Sequence, residues 1–196
     1  MIEYLSARSA LENIYNSDDS ITTQLGTPRI LIQEVKDLTL LHIACHSKND
    51  DVSECVSKFT KYKLPLTPNT SIKGKRHYSV WLSPTSWLIY SQEAINTGTL
   101  YSQTLHITDI SSGQVLMRVS GRHVRDLLSK GCPIDLHQAN FDHGYCAQSR
   151  FRSINILLNV IDETTIDIFV ARSFAVVFYK WLIEDSAEYR IFAQKK

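Results

Sequence analysis

The sequence lacks the short motifs that mark many enzymes and the long apolar runs that mark membrane proteins. It contains no GxGxxG dinucleotide pattern, no phosphate-binding P-loop and no GxSxG nucleophile pattern. Its longest apolar stretch, Phe174 to Ile183, is interrupted by Lys180 and is shorter than the roughly 18–20 residues that span a bilayer. Phosphate-cradling chemistry, hydrolase chemistry and a membrane-spanning helix therefore have no support in the sequence.

An excess of charge of either sign is also missing. The 21 Lys and Arg residues against 20 Asp and Glu residues give a formal net charge of +1, which leaves no broad basic face for nucleic acid or anionic lipid. The segment Met1–Tyr4 lacks the basic and apolar regions of a signal peptide. We expect a cytoplasmic protein that binds neither nucleic acid nor membranes.

Cysteine is scarce, and no CxxC pair occurs among Cys45, Cys55, Cys132 and Cys146. In a reducing compartment these residues are expected to be free thiols, buried as small apolar side chains. Cys45 stands near His42 and His46, but on a strand the two histidines are about 13 Å apart and Cys45 points to the opposite face. Zinc ligands must all lie within about 2.3 Å of one centre, so this segment alone forms no metal site.

A looser group could combine a thiol with an imidazole after folding: Cys132, His137, His143 and Cys146, with Asp135 or Asp142 as an orienting third group. A Cys–His nucleophile requires a depressed thiol pKa. Cys132 comes directly after a predicted helix end, where the helix dipole disfavours a thiolate. A structural role is therefore favoured over a reactive one.

The chain does contain an ordinary globular composition, with 43% hydrophobic and 21% charged residues over 196 positions. Lys36–Asp37 is predicted to form a tight connection between strands, and Ser111–Gly113 the turn of a hairpin. Apolar patterning predicts strands at residues 28–35, 38–46, 78–82, 87–90, 105–110, 114–119, 145–150, 154–161 and 165–170.

Apolar residues at helical spacing predict four helices. Their apolar faces are formed by Ala7, Ala10, Leu11, Ile14 and Tyr15; by Val52, Cys55, Val56 and Phe59; by Val124, Leu127 and Leu128 after a Ser120 cap; and by Phe174, Val177, Phe178, Trp181 and Leu182 after Ser173. Short connections favour antiparallel pairing of neighbouring strands. The predicted fold is α+β, with two intimately packed sheet-and-helix halves at residues 1–105 and 106–196 that can be counted as one domain.

Several residues have both a structural and a binding interpretation. Trp87 fits an apolar core pattern, as the other two tryptophans do, but it could also anchor a partner chain. Arg122 and Arg125 lie on nearby helix positions and could contact an acidic partner, although a solvated face is favoured. The run Lys73–Arg76 is interpreted as a solvated loop rather than an anion site.

Six segments of the chain carry a more specific signal: Leu64–Thr70, Trp81–Leu88, Arg118–Gly121, Asp126–His137, Cys146–Arg150 and Asp167–Ala175. The most distinctive residues within them, which we call the signature residues, are Lys130, Gly131, Cys132, Pro133, Asp135, Cys146, Gln148, Arg172, Ser173 and Phe174. Together these segments resemble the gamma subunit family of heterotetrameric sarcosine oxidase. The chain departs from that pattern at Ser83, at Thr85–Ser86 and at Arg122, where the family usually has glycine, acidic residues and proline.

The resemblance implies a fold similar to the folate-binding region of the glycine-cleavage aminomethyltransferases. It also implies a non-catalytic subunit of an oxidoreductase, in a complex with alpha, beta and zinc-bearing delta subunits. Such complexes oxidise sarcosine to glycine, hydrogen peroxide and a one-carbon unit for tetrahydrofolate. FAD, FMN, NAD and tetrahydrofolate are expected on the alpha and beta subunits, and no catalytic, cofactor-binding or metal-binding residue is expected on this chain.

Two other interpretations start from the same residues. The chain could be a free-standing folate-binding protein of the aminomethyltransferase type. It is shorter than those proteins, however, and the predicted strand Ile154–Ile161 lacks the carboxylate expected near folate, with Asn155 and Asn159 as its only polar residues. A relation to the folate proteins linked to tRNA modification rests on Lys130–Cys132 alone, since Pro133 departs from their motif.

Overall fold

The computed structural model describes residues 9–15, 30–45, 64–93, 95, 105–189 and 191–194 of the chain. The second predicted helix, with Val52–Phe59, and His46 of the first histidine–cysteine group lie outside these residues. The first predicted helix is described as α1, Glu12–Tyr15, next to the buried Leu11.

Two sheets form the body of the described chain. The six-stranded sheet has the order β11-β1-β7-β10-β9-β8 and is antiparallel except for the parallel pair β1 and β11. The five-stranded sheet has the order β3-β4-β5-β2-β6 and is antiparallel throughout. This arrangement confirms the mainly antiparallel α+β class. The strands are β1 Ile30–Val35, β2 Thr39–Cys45, β3 Ser71–Lys73, β4 His77–Ser83, β5 Ser86–Ser91, β6 Leu105–Asp109, β7 Gln114–Ser120, β8 Cys146–Phe151, β9 Ile154–Asp162, β10 Thr165–Ala171 and β11 Ile191–Gln194.

Side chains that alternate along the strands place a core on each face of the six-stranded sheet. On β10, Ile166, Ile168 and Val170 point to the face covered by helices α2, Val124–Ser129, and α3, Ala175–Asp185. Phe169 points to the opposite face and packs in a cluster with Tyr90 of the five-stranded sheet. We call these two clusters the helix-side core and the inter-sheet core.

Two predicted strand pairs are wrong, because the chain changes sheet at both short connections. β1 and β2 lie in different sheets, and Asp37 between them adopts a φ of 53°. β6 and β7 also lie in different sheets, so Ser111–Gly113 is a crossover and not a hairpin turn. The second crossover is bonded to the start of β2: Leu40 N–H donates to Ser111 Oγ at 2.9 Å, and Ile110 N–H donates to Leu40 O at 2.9 Å.

Strand β1 connects the two predicted halves of the chain. Its residues belong to the first half, yet it pairs with β7 in the six-stranded sheet, whose remaining strands lie within residues 114–194. The five-stranded sheet is formed by residues 39–109. The division into halves at residues 105 and 106 stays a prediction.

Helix α2 begins later than the sequence predicts. Ser120 is the last residue of β7 and not a cap, and His123 precedes the helix without a side-chain capping bond. Val124, Leu127 and Leu128 are buried as predicted. The helix face was therefore predictable, whereas its first residue was not.

Helix α3 is rotated relative to the predicted apolar stripe. Its buried residues are Ala175, Phe178, Tyr179 and Leu182, whereas Phe174 and Val177 are 50% and 42% exposed. A 3-10 turn, Arg172–Phe174, precedes the helix. The ring of Phe178 meets that of Phe151 edge-on at 5.5 Å, and this contact fixes which side of the helix faces the core.

Gly131 lies after α2, where the backbone approaches a buried ring. A Cβ atom at this position would lie 2.8 Å from two ring atoms of Phe151. Phe151 is fully buried and already packs against Phe178, so its ring has little room to move away. Close approach of the backbone to the ring is the reason for glycine here.

We therefore expect Gly131→Ala to lower the free energy of unfolding by about 1–3 kcal/mol, the usual cost of overpacking a core. Gly113→Ala is the matched control, because a Cβ there would meet only Ile110 O at an ordinary 3.5 Å, and its effect should stay within about 0.5 kcal/mol. Urea unfolding of the purified chains, followed by circular dichroism, measures both. An unchanged stability in Gly131→Ala would contradict the packing argument.

Candidate functional site between the two sheets

The most concentrated polar chemistry of the described chain lies between the two sheets. Asp167 on β10 is completely buried, and Arg118 on the neighbouring strand β7 donates to it twice. Arg118 Nε lies 2.7 Å from Asp167 Oδ1, and Arg118 Nη2 lies 2.8 Å from Asp167 Oδ2. The two side chains thus form a bidentate, charge-assisted pair.

The five-stranded sheet contributes the other half of this network. Tyr90 on β5 donates its hydroxyl hydrogen to Asp167 Oδ2 at 2.8 Å and accepts a bond from Asn159 Nδ2 at 2.8 Å. Ser71 on β3 donates to Asn159 Oδ1 at 2.5 Å. Tyr78 stacks on the Tyr90 ring at 5.0 Å. Side chains of both sheets are therefore joined through a continuous set of hydrogen bonds.

The electrostatics of this network argue against acid–base chemistry at neutral pH. Burial, reinforced by the Asp167 carboxylate, raises the pKa of Tyr90 well above its usual value. The hydrogen bond to Asp167 raises the pKa of Arg118 further above an already high value. General catalysts work best with a pKa near the operating pH, and these two groups are shifted away from it.

The network is well suited to hold the sheets in one arrangement. A buried charge is tolerated only when it is paired and its remaining hydrogen-bonding positions are filled. Asp167 meets that requirement only if Arg118 stays beside it and Tyr90 approaches from the opposite sheet. Sliding one sheet over the other would leave the Asp167 carboxylate short of donors.

Cys146 lies at a second connection between the sheets. Its buried thiol donates to Thr70 O at 3.2 Å and contacts Trp81 O at 3.5 Å. Burial raises the pKa of Cys146 to about 12, so the thiolate needed for nucleophilic attack is not formed near neutral pH. Close by, Gln148 Nε2 donates to Leu82 O at 2.6 Å. Cys146 and Gln148, two of the signature residues, therefore connect the two sheets.

The predicted Cys–His group is not assembled. Cys132 belongs to the helix-side core and contacts Ser149 Oγ at 3.4 Å, whereas Cys146 belongs to the inter-sheet core. His137 lies in the loop after α2, where its Nδ1 accepts from Ala139 N–H at 3.2 Å. Within the described ranges no group of three His, Cys, Asp or Glu side chains could hold a metal ion.

The signature run after α2 connects that helix to the end of α3. Lys130 Nζ donates to Asp185 O at 2.6 Å and lies 4.9 Å from the centre of the Tyr189 ring. Gly131 O accepts from Arg152 N–H at 2.7 Å, and Arg152 Nη2 donates to Asp185 Oδ1 at 2.7 Å. The run therefore stabilises the junction of two helices and a turn.

The other signature residues also have local structural roles. Asp135 accepts from His137 N–H at 2.8 Å and from Asn140 Nδ2 at 2.5 Å, and the first of these bonds is the main reason that the pKa of Asp135 is lowered. Pro133 is exposed beside it. Arg172 N–H donates to Gly113 O at 2.9 Å, and Arg172, Ser173 and Phe174 are exposed.

The three residues proposed as partner contacts differ in accessibility. Trp87 is only 4% exposed, and its indole N–H donates to Pro65 O at 2.8 Å, so the core interpretation of this residue fits the structure. Arg125 Nη1 donates to the carbonyl oxygens of Leu136 and Phe141 at 2.7 and 2.6 Å, which engages it within the chain. Arg122 is exposed, and its contact with a partner stays a prediction.

With this geometry established, comparison with known proteins gives a clear result. The family model described as "Sarcosine oxidase, gamma subunit family" matches residues 51–188. This chain belongs to the sarcosine oxidase gamma subunit family. None of the helices described for this family member is long and apolar enough to cross a membrane.

Individual relatives agree with the family assignment. Sarcosine oxidase subunit gamma from Corynebacterium sp. (strain U-96) is 26% identical over 115 residues, which is 56% of this chain and 56% of that relative. The alignment therefore spans little more than half of the relative's length.

Solved structures define the fold. A chain of the heterotetrameric sarcosine oxidase from Corynebacterium sp. U-96, in complex with pyrrole 2-carboxylate, matches with a TM-score of 0.80 and 21% identity over 96% of this chain and 98% of that chain. The glycine cleavage system aminomethyltransferase T from Bartonella henselae matches with a TM-score of 0.65 and 10% identity, over 96% of this chain and 59% of that chain. The predicted aminomethyltransferase-like fold is thus confirmed.

We expect Tyr90→Phe to lower the free energy of unfolding by about 1–3 kcal/mol, because it removes a donor from buried Asp167 and an acceptor from Asn159. Tyr145→Phe makes the same chemical change at a side chain that is 45% exposed, and it should alter stability by less than about 0.5 kcal/mol. Urea unfolding compares the two variants with the parent chain. Equal stability of both variants would show that the network contributes nothing.

We further expect the Cys146 thiol to resist alkylation by iodoacetamide at pH 8 while the chain is folded and to react once urea unfolds it. Mass spectrometry of the tryptic peptides measures both states. Because the folded pKa of Cys146 is raised to about 12 by burial, its contribution to stability is complete below the unfolded thiol pKa of about 8.5. That contribution is lost as the pH rises toward 12. Rapid labelling of the folded chain would contradict this account.

Proposed function

We propose that this chain is the non-catalytic gamma subunit of a heterotetrameric sarcosine oxidase. The complex would oxidise sarcosine to glycine, hydrogen peroxide and a one-carbon unit for tetrahydrofolate. The observation that carries the proposal is the family match over residues 51–188. A fold shared with 98% of a chain from a heterotetrameric sarcosine oxidase supports it.

The chemistry of the chain supports a scaffold role. Its most elaborate polar network joins two sheets through groups whose pKa values lie far from neutral. The thiol of Cys146 is likewise protonated and buried. We propose that the FAD, FMN, NAD and tetrahydrofolate sites belong to the alpha and beta subunits, and that the assembly is cytoplasmic.

Partner contacts are expected where the chain leaves signature or charged residues accessible. Phe174 ends the 3-10 turn before α3 and is 50% exposed, and Val177 on the next turn is also exposed. Large apolar side chains that are exposed to solvent are frequent at protein interfaces. We propose that Phe174, Val177 and the exposed Arg122 contact the alpha, beta or delta subunits.

A free-standing folate-binding protein has less support. The aminomethyltransferase T structure aligns over only 59% of its own length, so the chain corresponds to part of such an enzyme. On β9, Asn159 stands in the strand where a carboxylate was expected, and its amide group is engaged by Tyr90 and Ser71. A titration of the chain with tetrahydrofolate, followed by fluorescence, would reveal tight binding if this alternative held.

Co-expression of this chain with its partner subunits tests the proposed function. We expect the chain to co-elute with them on size-exclusion chromatography, because a scaffold subunit is held by extensive contacts. Omitting the chain from the expression should lower the yield of assembled complex and its sarcosine-dependent peroxide formation. A chain that elutes only as a monomer, and whose omission leaves the complex and its turnover unchanged, would contradict the proposal.

A further inference from the structure

A cavity of about 300 Å³ lies beside the polar network, at the end of the inter-sheet core. Its wall combines the loop between β3 and β4 with residues of β4, β5 and β7. The side chains that give the cavity its chemical character are Lys73, Lys75, Tyr78, Tyr90, Leu116 and Arg118. The volume is at the lower end of the range for small-molecule sites, about 300–1,000 Å³.

Arg118 lines this cavity and is held in place by Asp167. Two of its nitrogens, Nε and Nη2, bind Asp167, and Nη1 has no hydrogen-bond partner among the described residues. The Arg118 side chain is 33% exposed, whereas Asp167 is 0% exposed. A second cavity of about 290 Å³ also borders Arg118. One edge of the guanidinium is therefore anchored by Asp167, and no described residue bonds to Nη1.

The mouth of the cavity carries an excess of positive charge. Lys73 at the end of β3 and Lys75 on the β3–β4 loop are exposed, and Lys73 Nζ lies 5.8 Å from the centre of the Tyr78 ring. Arg76 and Glu93 also line the cavity, and they pair with each other at 2.7 Å. The cationic side chains of the lining therefore outnumber its anionic ones.

Apolar and aromatic residues form one part of the cavity lining, beside its charged and polar residues. Val35, Leu38 and Leu116 form part of the lining, and Tyr78 and Tyr90 stack with their ring centres 5.0 Å apart and their planes inclined by 12°. Cationic groups combined with apolar and aromatic side chains in one cavity are characteristic of sites for small organic anions.

We propose that this cavity binds a small organic carboxylate with a ring or other apolar body. The carboxylate would meet the other edge of the Arg118 guanidinium and the ammonium of Lys73, and the apolar body would lie against Tyr78 and Leu116. A planar guanidinium matches the two oxygens of a carboxylate, and the apolar part of the lining favours such a ligand over inorganic phosphate. The site uses only residues of this chain and does not depend on the proposed function.

Isothermal titration of the full-length chain with benzoate tests the proposal. Benzamide has the same ring without the charge, acetate has the charge without the ring, and inorganic phosphate is a plain anion. The variant Lys73→Gln/Lys75→Gln removes the charge at the mouth and leaves the Arg118–Asp167 pair intact. Lys180→Gln is the matched control, because Lys180 is exposed on α3, which covers the opposite face of the six-stranded sheet.

We expect saturable binding of benzoate, at least roughly tenfold tighter than that of benzamide, acetate or phosphate. The double variant should weaken benzoate binding by roughly fivefold or more, and Lys180→Gln should leave it unchanged. No saturable binding, equal binding of benzoate and benzamide, equal binding of all anions, or an effect of Lys180→Gln as large as that of the double variant would each overturn the proposal.

Discussion

The ion pair between Arg118 and the buried Asp167 is the constraint on which the arrangement of the two sheets depends. The two residues are direct neighbours on β7 and β10, and the pair by itself belongs to one sheet. The pair nevertheless affects both sheets, because it lies on the face that packs against the five-stranded sheet. A desolvated carboxylate needs every available hydrogen-bond donor. Tyr90 supplies one of those donors from the five-stranded sheet. The register within one sheet and the packing between the two are therefore set by the same few atoms.

Much of the fold was predictable from local patterns in the sequence. The strands at β8, β9 and β10 lie close to their predicted positions, because alternation along a half-buried strand is a strong signal. The Arg118–Asp167 pair was missed. A usable signal existed, since each residue interrupts an apolar strand on the side that faces the other sheet. Their partnership across 49 positions is a property of the folded sheet and is not visible in either strand alone.

The two crossovers show where local reasoning fails. A connection of two or three polar residues between strands is typical of a hairpin, yet both such connections lead to another sheet here. The choice is made by tertiary contacts, among them the bonds between Leu40 and residues Ile110 and Ser111. The rotation of α3 is a similar case. The apolar stripe predicted from Phe174 is displaced because Phe178 packs against Phe151, leaving Phe174 accessible.

These contacts give the signature residues of the family a consistent interpretation. Lys130 and Gly131 join α2 to α3 and to the turn of Arg152, and Cys146 and Gln148 join the two sheets. None of these roles requires a reactive group. The polar atoms of the inter-sheet core hold the two sheets in place, which supports the proposed scaffold role.

Native-state hydrogen exchange of the full-length chain, at increasing urea concentration, tests most directly whether the two sheets are locked together. Amides of β4 and β5 report on the five-stranded sheet, and amides of β9 and β10 report on the six-stranded sheet. If the inter-sheet network binds them into one unit, the most protected amides of both sheets should converge on a single free energy of opening with one urea dependence. Separate opening of the five-stranded sheet, at a clearly lower free energy, would contradict the account.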